Sequence, residues 1–139
     1  MDRIEECISF LLGKAAQEVS RRAREALAPC AVTPVQYAVL RALWEEDGRS
    51  GAELGARLVI DSATITGIID RLVAARLVER FPDPADRRVS RAFLTGEGRA
   101  GQPARDAAMD ALNAAVSAEL GKDAVRLTAM LRRLGNGPG

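Results

Sequence analysis

Two helix-start signals, Ser50-Gly51-Ala52-Glu53 and Asp61-Ser62, follow one another so closely that the first helix has room for only about two turns. In the first, the Ser50 hydroxyl can accept the amide proton of the third helical residue while Glu53 reaches back to the Ser50 amide, a capping box. Leu54 and Leu58 then share one face at i, i+4 spacing, and Val59-Ile60 leads to Asp61-Ser62, whose side-chain oxygens suit the cap of a second helix. The pattern dictates helix, tight turn, helix.

The second helix is expected over roughly residues 62–75. Ile65, Ile68, Ile69 and Leu72 recur at i, i+3, i+4 and i+7, a single apolar stripe for the core. The other face carries Ser62, Thr64, Thr66, Gly67, Asp70 and Arg71: short hydroxyls, one bare backbone position and a guanidinium. Such a face suits close approach to phosphates and base edges, where hydroxyls act as hydrogen-bonding groups and glycine removes bulk.

Two short β-type runs follow, Val78-Glu79-Arg80-Phe81 and Val89-Ser90-Arg91-Ala92-Phe93-Leu94, joined by the turn-forming Pro82-Asp83-Pro84-Ala85-Asp86-Arg87-Arg88. The result is a hairpin with a charged tip. A helix-turn-helix followed by such a hairpin is the winged-helix arrangement, in which the second helix enters the major groove and the wing reaches an adjacent minor groove.

The run Asp61-Ser62-Ala63-Thr64-Ile65-Thr66-Gly67-Ile68-Ile69-Asp70-Arg71-Leu72, then Leu77-Val78-Glu79-Arg80, Asp83-Pro84-Ala85-Asp86-Arg87-Arg88 and Leu94-Thr95, resembles the signature of the MarR family of bacterial transcription regulators. The resemblance implies a mainly α fold with a small β-hairpin wing. It also implies an obligate homodimer that binds double-stranded DNA at a palindromic operator and releases it when a small molecule or oxidant is sensed. On this reading residues 1–139 form a single domain, with dimerisation helices over 1–32 and 96–139 around a winged helix-turn-helix lobe over 33–95. Asp86 resembles the wing acid that positions a neighbouring arginine, and Arg88 the arginine that enters the minor groove. The DNA-contacting set is then Ser62, Thr64, Thr66, Gly67, Arg71, Asp86, Arg87 and Arg88, with Arg87 on phosphate if Arg88 takes the groove.

A formal net charge of only +1 shows no global basicity, so positive charge must be local; Arg76, Arg80, Arg87, Arg88 and Arg91 cluster in and around the hairpin. With 47% apolar residues the chain is globular, and its length allows one domain with little core to spare, so dimerisation would help. No apolar run is long enough to span a membrane. The acidic start Met1-Asp2-Arg3-Ile4-Glu5-Glu6 is unlike a basic leader, which points to a reducing cytoplasm.

Outside the central stretch the chain reads as helix. Residues 4–28 carry Ile4, Ile8, Leu11, Leu12, Ala15, Val19, Ala23 and Leu27 at helical spacing, and Pro29 ends them. Thr33-Pro34-Val35-Gln36 is a second capping box, opening a helix to about Glu46 with Val35, Val39, Leu40, Leu43 and Trp44 as its apolar face. Gly48 stops it. Thr95 can cap a further helix, with a bend or late start near Gln102 because Gly101 and Pro103 interrupt its first turns, and a break at Gly121. A last helix is expected over about 123–134, with fraying over 135–139. The terminal segments bear apolar residues on more than one face, and small residues between Ala107 and Ala118 permit close helix approach.

Catalysis finds no support: there is no histidine, and the two cysteines, Cys7 and Cys30, form no metal-spaced pair. No metal and no cofactor is expected, and no enzyme activity. The resemblance implies an effector pocket between the dimer helices and the winged lobe. The first two helices offer Ser9, Phe10, Lys14, Gln36, Tyr37 and Trp44 for it, a set suited to a flat aromatic acid. Cys7 lies roughly where peroxide-sensing relatives place a reactive cysteine; neighbouring Glu5 and Glu6 disfavour a thiolate, which argues against redox release. A winged-helix module that binds protein without an operator is the other alternative, disfavoured because such a surface would present aromatic or large apolar anchors rather than arginines and hydroxyls.

Overall fold

The computed structural model describes residues 1–137. Its first long helix, α1 (Ile8–Leu27), starts later than the apolar spacing implies. A single 3-10 turn over Ile4–Glu6 comes first, closed by the Asp2 amide donating to the Glu6 carboxylate at 3.1 Å, and extended Cys7 (φ −75°, ψ 121°) then caps α1. Pro29 sits in a second 3-10 turn, Ala28–Cys30, just past the end of α1.

Helix α2 (Pro34–Glu45) begins with the full reciprocal box. The Gln36 amide donates to the Thr33 hydroxyl at 3.2 Å, and the Thr33 amide donates to the Gln36 side-chain oxygen at 3.0 Å. Val39, Leu40 and Leu43 are buried and Trp44 is half-buried, but Val35 is turned outward at 44% exposure. Gly48 adopts φ +73°, and a Cβ there would lie 2.7 Å from the Phe93 ring, so only glycine fits the corner.

The next residues form a strand that no local pattern announces: β1 (Arg49–Ser50) pairs antiparallel with β3 (Ser90–Leu94), which pairs with β2 (Val78–Pro82), giving the order β1-β3-β2. Val78 faces Leu94, Arg80 faces Ala92, and Arg49 also faces Ala92 from the other side. This strand corrects half of the capping box at α3 (Gly51–Leu58). The Ser50 hydroxyl accepts the Glu53 amide at 3.1 Å as expected, but the Glu53 carboxylate turns to Arg49 (2.7 Å) and Arg91 (3.2 Å) rather than to the Ser50 amide. Two guanidiniums outbid one amide for a carboxylate.

Helix α4 (Ser62–Ala74) buries Ile65, Ile68, Ile69 and Leu72, the stripe set by its 3.6 periodicity. They join Leu27, Val32, Leu40, Leu43, Leu54, Leu77, Val78, Ala92 and Leu94 in one core between α2, α3, α4 and the sheet.

After the wing the Thr95 hydroxyl accepts the Gly98 amide at 3.0 Å and opens α5 (Gly96–Ala100). Gly101 separates it from α6 (Gln102–Leu120), which carries Pro103 in its first turn, where no amide is missed. Gly121 (φ +58°) ends α6 and opens a 3-10 turn, Gly121–Asp123, that leads into α7 (Ala124–Gly135). Gly135 is still helical; the rest of the expected frayed end is described only as far as Gly137, and residues 138–139 lie outside the described residues. Among the described residues no single helix is long and apolar enough to cross a membrane.

Candidate nucleic-acid interface

The solvent face of α4 is built from its first turn. Asp61, extended at φ −64° and ψ 159°, caps the helix by accepting the Thr64 amide on one carboxylate oxygen and the Thr64 hydroxyl on the other, each at 2.8 Å. One turn on, the Thr66 hydroxyl donates to the Ser62 carbonyl at 2.8 Å. Both threonines therefore spend their one hydroxyl proton inside the helix and present only lone pairs outward. Ser62, Thr64, Thr66 and Arg71 are exposed, and Gly67 is half-buried. A Cβ on Gly67 would meet nothing within 4 Å, so the protomer itself does not require glycine there.

Attraction to the Thr64 amide, and then to its hydroxyl, holds the Asp61 carboxyl below the ordinary aspartate range. A depressed folded-state pKa contributes stability that is complete above the unfolded value and is lost as pH falls through the folded one. We therefore expect Asp61→Asn, which keeps a capping oxygen but cannot titrate, to lose less melting temperature than the parent on acidification from about pH 5 to pH 2. Asp61→Ala should melt below both at neutral pH. Circular-dichroism melts of the three proteins side by side check this; equal acid sensitivity of parent and Asn variant would remove the cap from the account.

A second carboxylate on the same helix, Asp70, is neutralised from the wing by an ion pair with Arg80, whose guanidinium also donates to the Thr66 carbonyl at 3.4 Å. The wing tip is folded by two aspartates. Asp83 accepts the Ala85 amide and the Arg91 Nε, both at 2.9 Å. Asp86 accepts the Arg88 amide at 3.2 Å and grips the Arg88 side chain through Nε (3.0 Å) and Nη2 (3.1 Å). Those contacts hold the Asp86 carboxyl down, the Arg88 side chain first and its amide second. Although gripped at its neck, the Arg88 side chain is 91% exposed, and Arg87 beside it is exposed as well.

Arg91 is the residue that sequence reasoning missed as a fixture of this surface. It reaches Asp83 in the wing loop, Glu53 on α3 and the Gly48 carbonyl at 2.9 Å, tying hairpin, helix and corner together. Its partners lie 8 to 43 positions away in sequence, so no local spacing signals them.

The six residues offered for an effector do not converge within one protomer. Ser9, Phe10 and Lys14 sit in the first half of α1, roughly 20–27 Å along the helix from Leu27, where α1 enters the core. The Ser9 hydroxyl meets the Cys7 thiol at 3.2 Å, the Gln36 side chain is spent on Thr33, and the Trp44 indole donates to the Gly98 carbonyl at 3.1 Å. Of the six, Tyr37 lines an open cleft of about 360 Å³ between α2, α3 and α6, with Pro34, Arg41, Glu45, Arg57 and Met109. There Asp106 accepts the Tyr37 hydroxyl at 2.7 Å and Arg41 at 2.9 Å, and Glu45 pairs with both Arg41 and Arg57. Burial, then Asp106, pushes the Tyr37 hydroxyl well above its usual pKa. The argument from Glu5 and Glu6 about Cys7 also needs correction. At the cap of α1 the thiol is drawn below its usual pKa by the Ser9 hydroxyl and then by the amides of Phe10 and Ser9.

The arrangement can do what a duplex-binding surface does: a helix face bearing acceptors and one guanidinium, beside a hairpin that thrusts out a second. The MarR family model matches residues 32–90. A probable transcriptional regulator from Pseudomonas aeruginosa superposes with a TM-score of 0.89 at 31% identity, over 95% of this chain and 99% of that one. The chain belongs to the MarR family. A further relative is the HTH-type transcriptional regulator TtmR of Methylorubrum extorquens, 42% identical over 92 residues, which are 66% of this chain and 47% of TtmR. The chain spans between 47% and 61% of the length of the first curated relatives it matches. BpsR of Bordetella bronchiseptica, described as having its DNA binding regulated by 6-hydroxynicotinic acid, superposes with a TM-score of 0.92 at 27% identity, covering 99% of each chain.

Proposed function

We propose that this MarR-family chain is a homodimeric, cytoplasmic, sequence-specific DNA-binding regulator, a repressor released from an inverted-repeat operator by a small aromatic acid. The observation that carries the DNA reading is the pairing of the exposed α4 face with Arg88, held at its neck by Asp86 and otherwise free in solvent. A protein-docking surface would carry large apolar anchors on that face; its exposed side chains are hydroxyls, Ala63, Asp70 and Arg71, with Val73 at 36% exposure the one large apolar residue on α4 that is exposed.

Dimerisation is supported by what the terminal helices leave uncovered. Ile8, Leu11 and Val19 on α1 and Val125, Met130 and Leu134 on α7 are between 41% and 80% exposed, more apolar surface than a monomer ordinarily keeps in water. A groove of about 360 Å³ between α1, α6 and α7, lined by Val19, Leu112, Val116, Leu120, Leu127 and Leu131, offers a second copy somewhere to pack. A two-fold dimer would set its α4 helices in major grooves about one turn, near 34 Å, apart.

For the effector, the cleft at Tyr37 combines an aromatic wall with two guanidiniums held by carboxylates that an incoming acid can displace. A second reading rests on Cys7, whose lowered pKa at the α1 cap favours oxidation over the sequence-based argument against it. One experiment separates these. The protein is bound to the duplex upstream of its own gene in a gel shift, then challenged with phenolic, benzoic and hydroxynicotinic acids, and with organic hydroperoxide against parent and Cys7→Ser. Release by an acid, abolished in Arg41→Ala, is the expected result. Release by hydroperoxide alone, lost in Cys7→Ser, would replace the ligand with an oxidant, and failure to bind any duplex would overturn the regulator itself.

A further inference from the structure

Val59 occupies the turn between α3 and α4 under two penalties at once. It caps α3 in the left-handed conformation, φ +56° and ψ 51°, a region that β-branched residues almost never enter and that glycine or asparagine enters readily. It is also 91% exposed, the most exposed large apolar residue among the described residues. A lone exposed valine is ordinary and a single strained residue can be an accident of packing. The left-handed backbone lets the Val59 and Ile60 amides reach the Gly55 carbonyl, the latter at 2.9 Å, but glycine or asparagine would close that cap equally, and the valine side chain itself stands in solvent. The two other non-glycine residues at positive φ differ: Ala31 is unbranched, and the Arg76 carbonyl accepts the Thr95 hydroxyl at 2.7 Å.

The position says what would cover it. Two residues later Asp61 caps α4, and Ser62 and Thr64 open the face assigned to base edges, so Val59 stands at the mouth of the groove that α4 enters. The nearest guanidinium in sequence, Arg57, is paired with Glu45; the apolar chemistry a duplex offers to a valine is a thymine 5-methyl group or the face of a deoxyribose. We infer that Val59 is an apolar operator contact, a specificity-determining side chain kept in a strained turn at a cost in stability because the bound duplex buries it. This rests on the DNA-binding reading above.

The inference requires stability and affinity to move in opposite directions, which a purely structural residue would not produce. The operator is taken as the duplex that the full-length parent enriches from a randomised pool, and binding is followed by fluorescence anisotropy. Val59→Asn and Val59→Gly relax the turn and should melt about 2–5 °C above the parent while binding the operator about 5- to 10-fold more weakly. Val59→Thr keeps the branch and the strain but exchanges a methyl for a hydroxyl; it should lose affinity without gaining melting temperature. Thymines in each half-site are then replaced singly by deoxyuridine. A position where uracil weakens the parent but leaves Val59→Asn unchanged identifies a thymine methyl, and loss in Val59→Asn that no uracil reproduces identifies the sugar. Parent and Val59→Asn binding the selected duplex equally would overturn the inference while leaving the regulator intact. A pool from which the parent enriches nothing would overturn the DNA reading beneath it.

Discussion

Gly98→Ala is expected to destabilise the protein by about 3 kcal/mol and to lower its melting temperature by about 10 °C. A Cβ on Gly98 would lie 2.2 Å from the Leu77 carbonyl oxygen and 3.3 Å from the Leu94 Cδ2. The obstacle is backbone, so no rotamer change relieves it. That carbonyl accepts the Thr95 amide at 3.1 Å, while Gly98 itself donates to the Thr95 hydroxyl and accepts from Trp44. Moving α5 away by the needed distance breaks this set together and opens the end of the core at Leu77, Val78 and Leu94. Urea denaturation at fixed protein concentration measures the loss, since a dimer's stability depends on concentration. Gly67→Ala, with nothing within 4 Å of its new Cβ, is the control and should melt no lower than the parent. Equal stability of the two variants would show that α5 docks loosely.

Arg88→Ala is expected to weaken operator binding about ten-fold or more, with little change in folding. The side chain is 91% exposed, and its ion pair with Asp86 is confined to the wing tip, so the folded lobe loses nothing it depends on. On DNA the balance differs, because a guanidinium directed from a wing into a narrow A/T-rich minor groove meets concentrated negative potential. If the contact is to phosphate alone, the slope of log affinity against log salt should fall by about one charge per subunit, equally for all duplexes. If it is to the groove, the loss should be greatest where the flanking tract is A/T-rich. Arg87→Ala measured in parallel assigns the two arginines, and an Arg88→Ala protein binding at parent affinity across the salt range would make the wing a structural hairpin only.

What the sequence makes legible here is what local rules control. The Thr33 box, the Asp61 cap, the α4 stripe, the hairpin and the breaks at Gly101 and Gly121 each follow from a few adjacent residues, and each stands where its pattern places it. What is not legible depends on partners distant in sequence. Glu53 follows the capping rule until Arg91, 38 positions on, competes for its carboxylate. β1 exists only because β3 arrives beside it, and two residues carry no periodicity to detect. At the candidate site, residue types and exposed positions on α4 are readable, but the direction of the Thr64 and Thr66 hydroxyl protons is not. Those bonds decide that the two threonines offer acceptors rather than donors. The effector set does not meet within one protomer for a geometric reason: the length of α1 separates Lys14 from α2 however well their chemistry matches.

The chain contains one tryptophan, and its placement gives the molecule a built-in optical gauge. Trp44 extends from α2 to the Gly98 carbonyl and lies edge-on to Tyr37, with ring centroids 5.9 Å apart, while Tyr37 continues through its hydroxyl to Asp106 on α6. Indole emission responds to the polarity around the ring and to quenching by what it touches. A shift of α5 or α6 against the winged lobe would therefore register as a change in colour or intensity, without a label and in the unmodified protein. On the proposed assembly, the joint between the helices that would face a second subunit and those that would face a duplex can be watched directly while either partner is titrated.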